Sequence, residues 1–407
     1  MVEYEVHVSP YCFKNGYHIL PFKPEDIIIH DTTLREGEQA PGVVFSVKDK
    51  IKIAEELDEL GIQQIEGGFP AASPSEFEAL KEINKLGLKA KVFGFGRAVK
   101  SDIDAVADTG CFGLVLSFPP SDIHIKYKLK ITREEYLRRA VEIVEYAKER
   151  GLYITYSAED STRADLDFLK KVFKTVVEAG VDRARIVDTL GCITPPAIKF
   201  LVSEIRNTIN MPVEVHCHND HNLALANTLA ALEAGANVLS TSILGLGERA
   251  GLAATEELIV ALHNFYNVRT FKTEKIFAIA NLVASKANVE IWSSKPVVGR
   301  NVFTHESGIH QDGVIKNPIT YEPYPPEMVG QKRRLLLSKV SGKAAVKYKL
   351  EKELGISLSD EEILILTQKV KQISSNRRSA LSDEEFKNLV GEILANKTKE
   401  EVIKTRK

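Results

Sequence analysis

From residue 27 onward, short runs rich in Ile and Val alternate with longer stretches whose apolar residues recur every three or four positions. The short runs have the length of buried strands and the longer ones the period of amphipathic helices, so the pattern is that of a parallel sheet built from βα units. Strands are predicted at 27–30, 64–67, 89–94, 113–117, 153–157, 185–188, 213–218 and 237–242. Helices are predicted between them, at 47–60, 74–85, 133–150, 165–179, 196–207, 223–233 and 255–265. Eight strands alternating with helices close most simply into an α/β fold of the (β/α)8 barrel type, which takes about 250 residues. An open doubly wound sheet competes with it. No G-x-G-x-x-G turn follows the first strand, so the nucleotide-binding form of that sheet lacks support.

The rhythm is confined to residues 26–285, the predicted catalytic barrel. Residues 1–25 hold no long periodic segment and are expected to cap the barrel bottom or meet a partner. After about Lys286 the strands stop and Pro296, Pro318, Pro323, Pro325 and Pro326 punctuate the chain, so 286–342 reads as a small loop-rich subdomain. Residues 343–407 form a helical C-terminal tail with helices at 343–354, 359–372 and 382–394, where Ser359 and Ser382 stand as N-caps before acidic first turns.

Composition narrows the partners. The 54 basic and 56 acidic residues are interspersed, leaving no basic field for nucleic acid or an anionic membrane. No run reaches the roughly 18 apolar residues of a membrane span, and the start lacks a signal-peptide pattern. Cys12, Cys111, Cys192 and Cys217 lack paired spacing, which argues against disulfides or a cysteine zinc site and fits a cytoplasmic location.

Barrel enzymes carry their chemistry at the carboxyl ends of the strands, and three predicted ends are unusually polar. The first runs His30-Asp31-Thr32-Thr33-Leu34-Arg35-Glu36-Gly37-Glu38-Gln39, the fifth Ser157-Ala158-Glu159-Asp160, and the seventh His216-Cys217-His218-Asn219-Asp220. Residues two apart on a strand share a face, so His216 and His218 both look into the mouth as half of a divalent-metal site. Glu36 or Asp31 would complete it; His and carboxylate together suit Zn, Mn or Co and, less well, Mg. After the eighth strand, the turn Gly245-Leu246-Gly247-Glu248-Arg249-Ala250-Gly251 has the form of an anion cradle, although such turns also serve as plain punctuation.

Taken together, these motifs resemble the alpha-isopropylmalate, homocitrate and citramalate synthase family. Ile65-Glu66-Gly67-Gly68-Phe69-Pro70 and His305-Glu306-Ser307-Gly308-Ile309-His310-Gln311-Asp312-Gly313 match it as well, and the likeness runs in order from about Ile27 to Gly342. Related barrel lyases, such as hydroxymethylglutaryl-CoA lyase, lack the His305-to-His310 segment, which favours a synthase over carbon–carbon cleavage.

The resemblance implies a condensation of acetyl-CoA with a 2-oxo acid, using one divalent metal ion (Zn, Mn, Co or Mg) held by Glu36, His216 and His218. It implies that Arg35 steadies the keto oxygen, that Glu159, His310 and Tyr321 share proton transfer and thioester orientation, and that Ser157 and Thr189 lie at the 2-oxo acid. Gly245, Gly247, Glu248 and Arg249 are the implied acetyl-CoA contacts. A homodimer is expected, because His310 lies far beyond the last strand and reaches a mouth most simply on a neighbouring subunit. Phe95 stands where family members using 2-oxoglutarate tend to carry His, so an apolar substrate and 2-isopropylmalate synthesis are expected first. Arg97, Lys126 and Lys128 keep homocitrate or citrate synthesis open, and citramalate synthesis follows if pyruvate fits. Leu252 and His221-Asn222 depart from the family pattern near the site. The chain also ends soon after its helical tail, so leucine feedback through a further C-terminal domain is not expected.

Overall fold

The computed structural model describes residues 4–13 and 20–404; parts of the expected N-terminal extension (1–3 and 14–19) and residues 405–407 of the tail lie outside the described residues. The chain forms two compact units, one of Ser9–Ile291 and one combining Met1–Val8 with Trp292–Lys407.

The first unit is a closed barrel in which β1 (Ile28–Asp31), β2 (Gln64–Gly68), β3 (Lys91–Arg97), β4 (Gly113–Ser117), β5 (Tyr153–Ala158), β6 (Arg183–Asp188), β7 (Val213–Cys217) and β8 (Val238–Thr241) pair in sequence order. Every pairing is parallel, and β1 closes on β8 with His30 opposite Ser240. Local chemistry sets the boundaries. The helix Val47–Leu60 starts at a capping box between Ser46 and Asp49 and stops at Gly61, whose φ of 102° turns the chain into β2. The helix Lys100–Asp108, between β3 and β4, is not among those the periodicity marks; it is only nine residues long.

The outward faces of the strands are apolar, with Ile29, Ile65, Ile154, Ile186 and Val215 buried against the helices. The inward faces are polar. His30, Gln64, Glu66, Thr155, Arg183, Arg185, Glu214 and Ser240 are all buried within the barrel, beside Phe93. Gly113 makes room for that ring, since a Cβ there would come within 2.5 Å of it. β6 therefore begins at Arg183, two residues earlier than the sequence suggests, because Arg183 and Arg185 are interior residues paired with Glu214 at 2.9 and 2.5 Å. Such buried ions are retained only when opposite charges sit beside them.

In the second unit, residues Thr304–His305 pair in parallel with Arg334–Leu335, next to the helix Gly308–Lys316. Helices Lys343–Tyr348, Asp360–Arg377 and Asp383–Lys404 follow, and Val346, Leu350, Leu366, Val370 and Phe386 form their shared core. Ser359 and Ser382 both cap helices as expected, each exchanging hydrogen bonds with a Glu three residues on. Residues 4–8 join this unit, where the His7 N–H donates to the Pro323 carbonyl at 2.8 Å. Among the described residues no helix is long and apolar enough to cross a membrane.

Candidate active site

After β1 the chain folds into a tight turn in which the N–H groups of Arg35, Glu36 and Gly37 all converge on the Thr32 carbonyl, at 3.1, 2.9 and 3.1 Å. This turn delivers Arg35 and Glu36 to the mouth. Asp31 anchors it from below, accepting from the Thr33 N–H at 2.9 Å and the Thr255 hydroxyl at 2.6 Å. Burial pushes the Asp31 carboxyl up to about 6, against those hydrogen bonds. Asp31 is thus an anchor, and Glu36 is the carboxylate that meets the histidines. Lys50, itself buried, supports the same turn by donating to the Leu34 carbonyl at 2.9 Å and pairing with Glu38 at 2.6 Å and with Glu76.

Glu36, His216 and His218 each offer a ligand atom within 4.8 Å of the others, and all three are buried. His216 is oriented through Nδ1 by the Ser240 hydroxyl at 2.8 Å, and His218 Nε2 lies 3.8 Å from Glu36 Oε1. Burial, assisted by Arg35 and other neighbouring cations, pushes both imidazoles below their ordinary range. Two imidazoles whose charged form burial disfavours, converging with a carboxylate, fit a divalent cation.

Arg35 links this cluster to the barrel interior. It pairs with Glu36 and donates from Nε to Glu66 at 2.5 Å; Glu66 meets Arg185 at 3.0 Å, and Arg185 meets Glu214. Burial raises the Glu66 carboxyl, but the charges of Arg35, Arg185 and His30 outweigh it and hold it at about 2. This ladder was hidden in the sequence. Its one signal is the inward parity of Glu66, Arg183, Arg185 and Glu214 on strands whose other faces are apolar.

One cavity of about 580 Å³ joins these groups, with Arg35, Glu36, Phe95, Arg97, Ser157, Glu159, Thr189, His216, His218, Glu248 and Arg249 on its wall. Sequence reasoning did not single out Phe69, Ser117, Arg139 or Arg185, which also line it. The wall divides into two arcs. The arc from β7 through β8 to β1 carries the histidines, the glycine turn and Glu36. The arc from β2 to β4 is largely apolar: Phe69 meets Phe95 edge-on at 5.3 Å, and the Arg35 guanidinium lies over the Phe95 ring at 4.6 Å.

The glycine turn packs on the cluster itself. The Glu248 N–H donates to Glu36 at 3.3 Å, and a Cβ on Gly247 would crowd the Glu36 side chain. Gly251, at φ 77°, lies so close to Gly245 that a Cβ would stand 1.8 Å from its carbonyl oxygen. Arg249 is engaged by Asp220 at 2.9 and 3.0 Å, and not by Glu248. On the fifth strand end, Glu159 accepts both of its Lys128 contacts at 2.8 Å and lies 3.4 Å from His124. Thr189 accepts from the Asp160 N–H at 2.8 Å.

His310 and Tyr321 belong to the second unit, where their rings stack at 4.1 Å with both residues exposed. Gly313, one turn beyond His310, makes the stack possible, since a Cβ there would meet the Tyr321 ring at 2.5 Å. The neighbouring Glu322 is buried and fixed by His305 at 3.0 Å and by Arg333 at 2.7 Å.

A parallel eight-stranded barrel with a Glu-His-His cluster and an arginine at its carboxyl-terminal mouth defines a barrel enzyme with a candidate divalent-cation centre. The chain belongs to the HMGL-like family, whose model matches residues 26–283; a Homocitrate synthase post-HMGL domain-like model matches 297–378. It is 44% identical over 382 residues to a homocitrate synthase of Methanothermobacter thermautotrophicus, covering 92% of this chain and 97% of that one. It is 45% identical over 373 residues to a probable 2-isopropylmalate synthase of Ignicoccus hospitalis (91% and 93% covered). With the (R)-citramalate synthase of Methanocaldococcus jannaschii it shares 43% over 375 residues (92% and 76%). Among solved structures, the HMG-CoA lyase of Bacillus subtilis aligns with a TM-score of 0.60 at 19% identity over 68% of this chain and 97% of that one, a likeness of fold.

Proposed function

We propose that this protein condenses acetyl-CoA with a 2-oxo acid, forming a 2-hydroxy (alkyl)malate-type product and free CoA. The observation that carries the reading is the convergence of Arg35 with the Glu36, His216 and His218 cluster on one cavity. A divalent cation held by those three residues supplies Lewis acidity toward the keto group. Arg35 stands where charge gathers on the keto oxygen, and its fixed pairing with Glu66 means that little reorganisation is needed as that charge develops. Thr189 and Ser157 bind and orient the 2-oxo acid. Glu159, His310 and Tyr321 take the proton from the acetyl methyl and orient the thioester, and Gly245, Gly247, Glu248 and Arg249 meet its thioester end. An exposed pair such as His310 and Tyr321 suits delivery to the mouth of a second copy, so the working form is a homodimer.

The preferred substrate is a 2-oxo acid with a short apolar side chain, 2-oxoisovalerate first and pyruvate next, which makes 2-isopropylmalate the product. Phe69 and Phe95 form an apolar wall beside Arg35, and each lining cation already has a carboxylate: Arg97 has Asp102, Lys128 has Glu159, Arg139 has Glu135 and Arg249 has Asp220. A second carboxylate facing those rings would lose hydration without a free partner, at a cost of roughly several kcal/mol. The second reading is a dicarboxylate such as 2-oxoglutarate. It is favoured by the presence of Arg97 and Lys128 on the cavity wall, and it agrees with the homocitrate synthases among the relatives. Release of CoA from acetyl-CoA, measured as kcat/KM for 2-oxoisovalerate, pyruvate, 2-oxoglutarate and oxaloacetate, tests both. Preference for a dicarboxylate overturns the first reading, and release with none of them overturns the condensation.

A further inference from the structure

We propose that the segment from Lys126 to Lys130, with Arg139, is the binding site for the nucleotide end of acetyl-CoA, the adenine ring and its phosphates. The inference rests on the condensation reading and assigns a part of the ligand that the mouth leaves unaccounted for. The cavity is of ordinary small-ligand size and holds a 2-oxo acid with the thioester end, leaving the nucleotide to lie on the rim. The glycine turn is poorly placed to receive phosphates, because its Glu248 N–H is given to Glu36 and its Arg249 to Asp220.

The strip has the chemistry the nucleotide needs. Residues 122–139 carry six cations (Lys126, Lys128, Lys130, Arg133, Arg138 and Arg139) against three carboxylates (Asp122, Glu134 and Glu135), in a chain whose net charge is −2. Arg138 and Arg139 share Glu135 and Arg138 also meets Glu142, Arg133 meets Asp122 and Asp165, and Lys128 meets Glu159, which leaves Lys126 and Lys130 as the excess charge. Lys126 and Lys130 are exposed, and among the described residues neither has a carboxylate within ion-pair distance. Between them the Tyr127 ring is 68% exposed, with the Lys126 ammonium 5.0 Å from its centre. An exposed aromatic flanked by free ammonium groups offers a stacking face for a base and counter-charges for phosphates.

The backbone points the same way. Ile125–Leu129 is a single π-helical turn closed by Lys130 at φ 57°, a rare geometry that recurs at functional sites. The wide turn buries Ile125 and sends Lys128 inward to Glu159 on the cavity wall, while Lys126, Tyr127 and Lys130 face water. The strip is therefore continuous with the mouth through Lys128 and Leu129, and Arg139 lines the same cavity.

The test is calorimetric titration of the full-length protein with CoA and with 3′-dephospho-CoA, and turnover with acetyl-CoA against acetyl-pantetheine, which lacks the nucleotide. Lys126→Ala with Lys130→Ala should weaken CoA about tenfold or more and flatten its salt dependence. Tyr127→Ala should weaken it roughly five- to hundredfold, as loss of a stacked base does. Turnover of acetyl-pantetheine and the KM for the 2-oxo acid should match the wild type in every variant. All three positions are exposed, and an unchanged Tm confirms the fold. CoA binding within twofold of wild type in the triple variant overturns the subsite while leaving the condensation intact. A wild-type protein that does not bind CoA overturns both.

Discussion

The Glu36, His216 and His218 cluster and the His310 and Tyr321 pair are built on opposite principles. In the barrel, every group is buried, Ser240 orients His216, Arg35 holds Glu36, and burial disfavours the charged form of both imidazoles. In the second unit, the imidazole and phenol stack in the open, held by a missing Cβ at Gly313 and an anchored Glu322. The difference separates two needs of the proposed reaction. A centre that stabilises charge gains from a low-dielectric, preorganised surrounding, whereas a proton carrier must reach a partner that arrives from elsewhere.

Breaking the buried side should have the largest effect. His216→Ala is expected to lose bound metal and lower turnover by roughly 10³-fold or more, as seen by metal analysis and CoA release. A variant that turns over normally after chelation removes the centre from the mechanism. The ladder beneath should register in acid. Because the Glu66 carboxyl is held at about 2 rather than its ordinary 4.5, its contribution is complete above pH 4.5 and is lost as pH falls toward 2. That amounts to about 3 kcal/mol, which denaturant unfolding in Glu66→Gln should show as a flatter acid limb.

Gly313→Ala strikes the exposed side alone, by driving a methyl group into Tyr321. It should lower kcat by roughly ten- to hundredfold with little change in KM for the 2-oxo acid. A matching rise in that KM would place the pair at substrate binding. The finest test mixes two inactive proteins, Glu36→Ala and His310→Ala. If each mouth borrows His310 from its partner, random reassociation restores about a quarter of wild-type activity, since half the dimers then carry one intact site. Mixtures that stay inactive after subunit exchange refute the shared site.

The barrel was legible because its outward strand faces are apolar at period two and its helices at period 3.6. The helix at 47–60 and the strand at 113–117 occur as anticipated. The cluster was legible for a related reason, since H-x-H on one strand must share a face. What the sequence concealed was compensation between distant residues. Arg183 falls outside the apolar pattern because its partner Glu214 lies one strand away, and what separates Asp31 from Glu36 is Thr255, more than two hundred residues on, whose hydroxyl holds Asp31. The pairing of Arg249 with Asp220 was hidden likewise, since both are rim residues whose neighbours only closure of the barrel decides.

The division of the mouth into two arcs bears on how such a protein changes its diet. Phe69 follows β2, and Phe95 and Arg97 lie on β3, while His216 lies on β7 and His218, the glycine turn and Glu36 follow β7, β8 and β1. The two sets belong to separate stretches of the circumference that touch where the Arg35 guanidinium lies over the Phe95 ring, so an exchange at Phe95 recasts that wall without removing Glu36, His216 or His218. Under the proposed condensation, exchanges at Phe69, Phe95 and Arg97 are expected to shift which 2-oxo acid is taken while Glu36, His216 and His218 stay in place. A laboratory library restricted to those three positions should sample that range while keeping the catalytic arc constant.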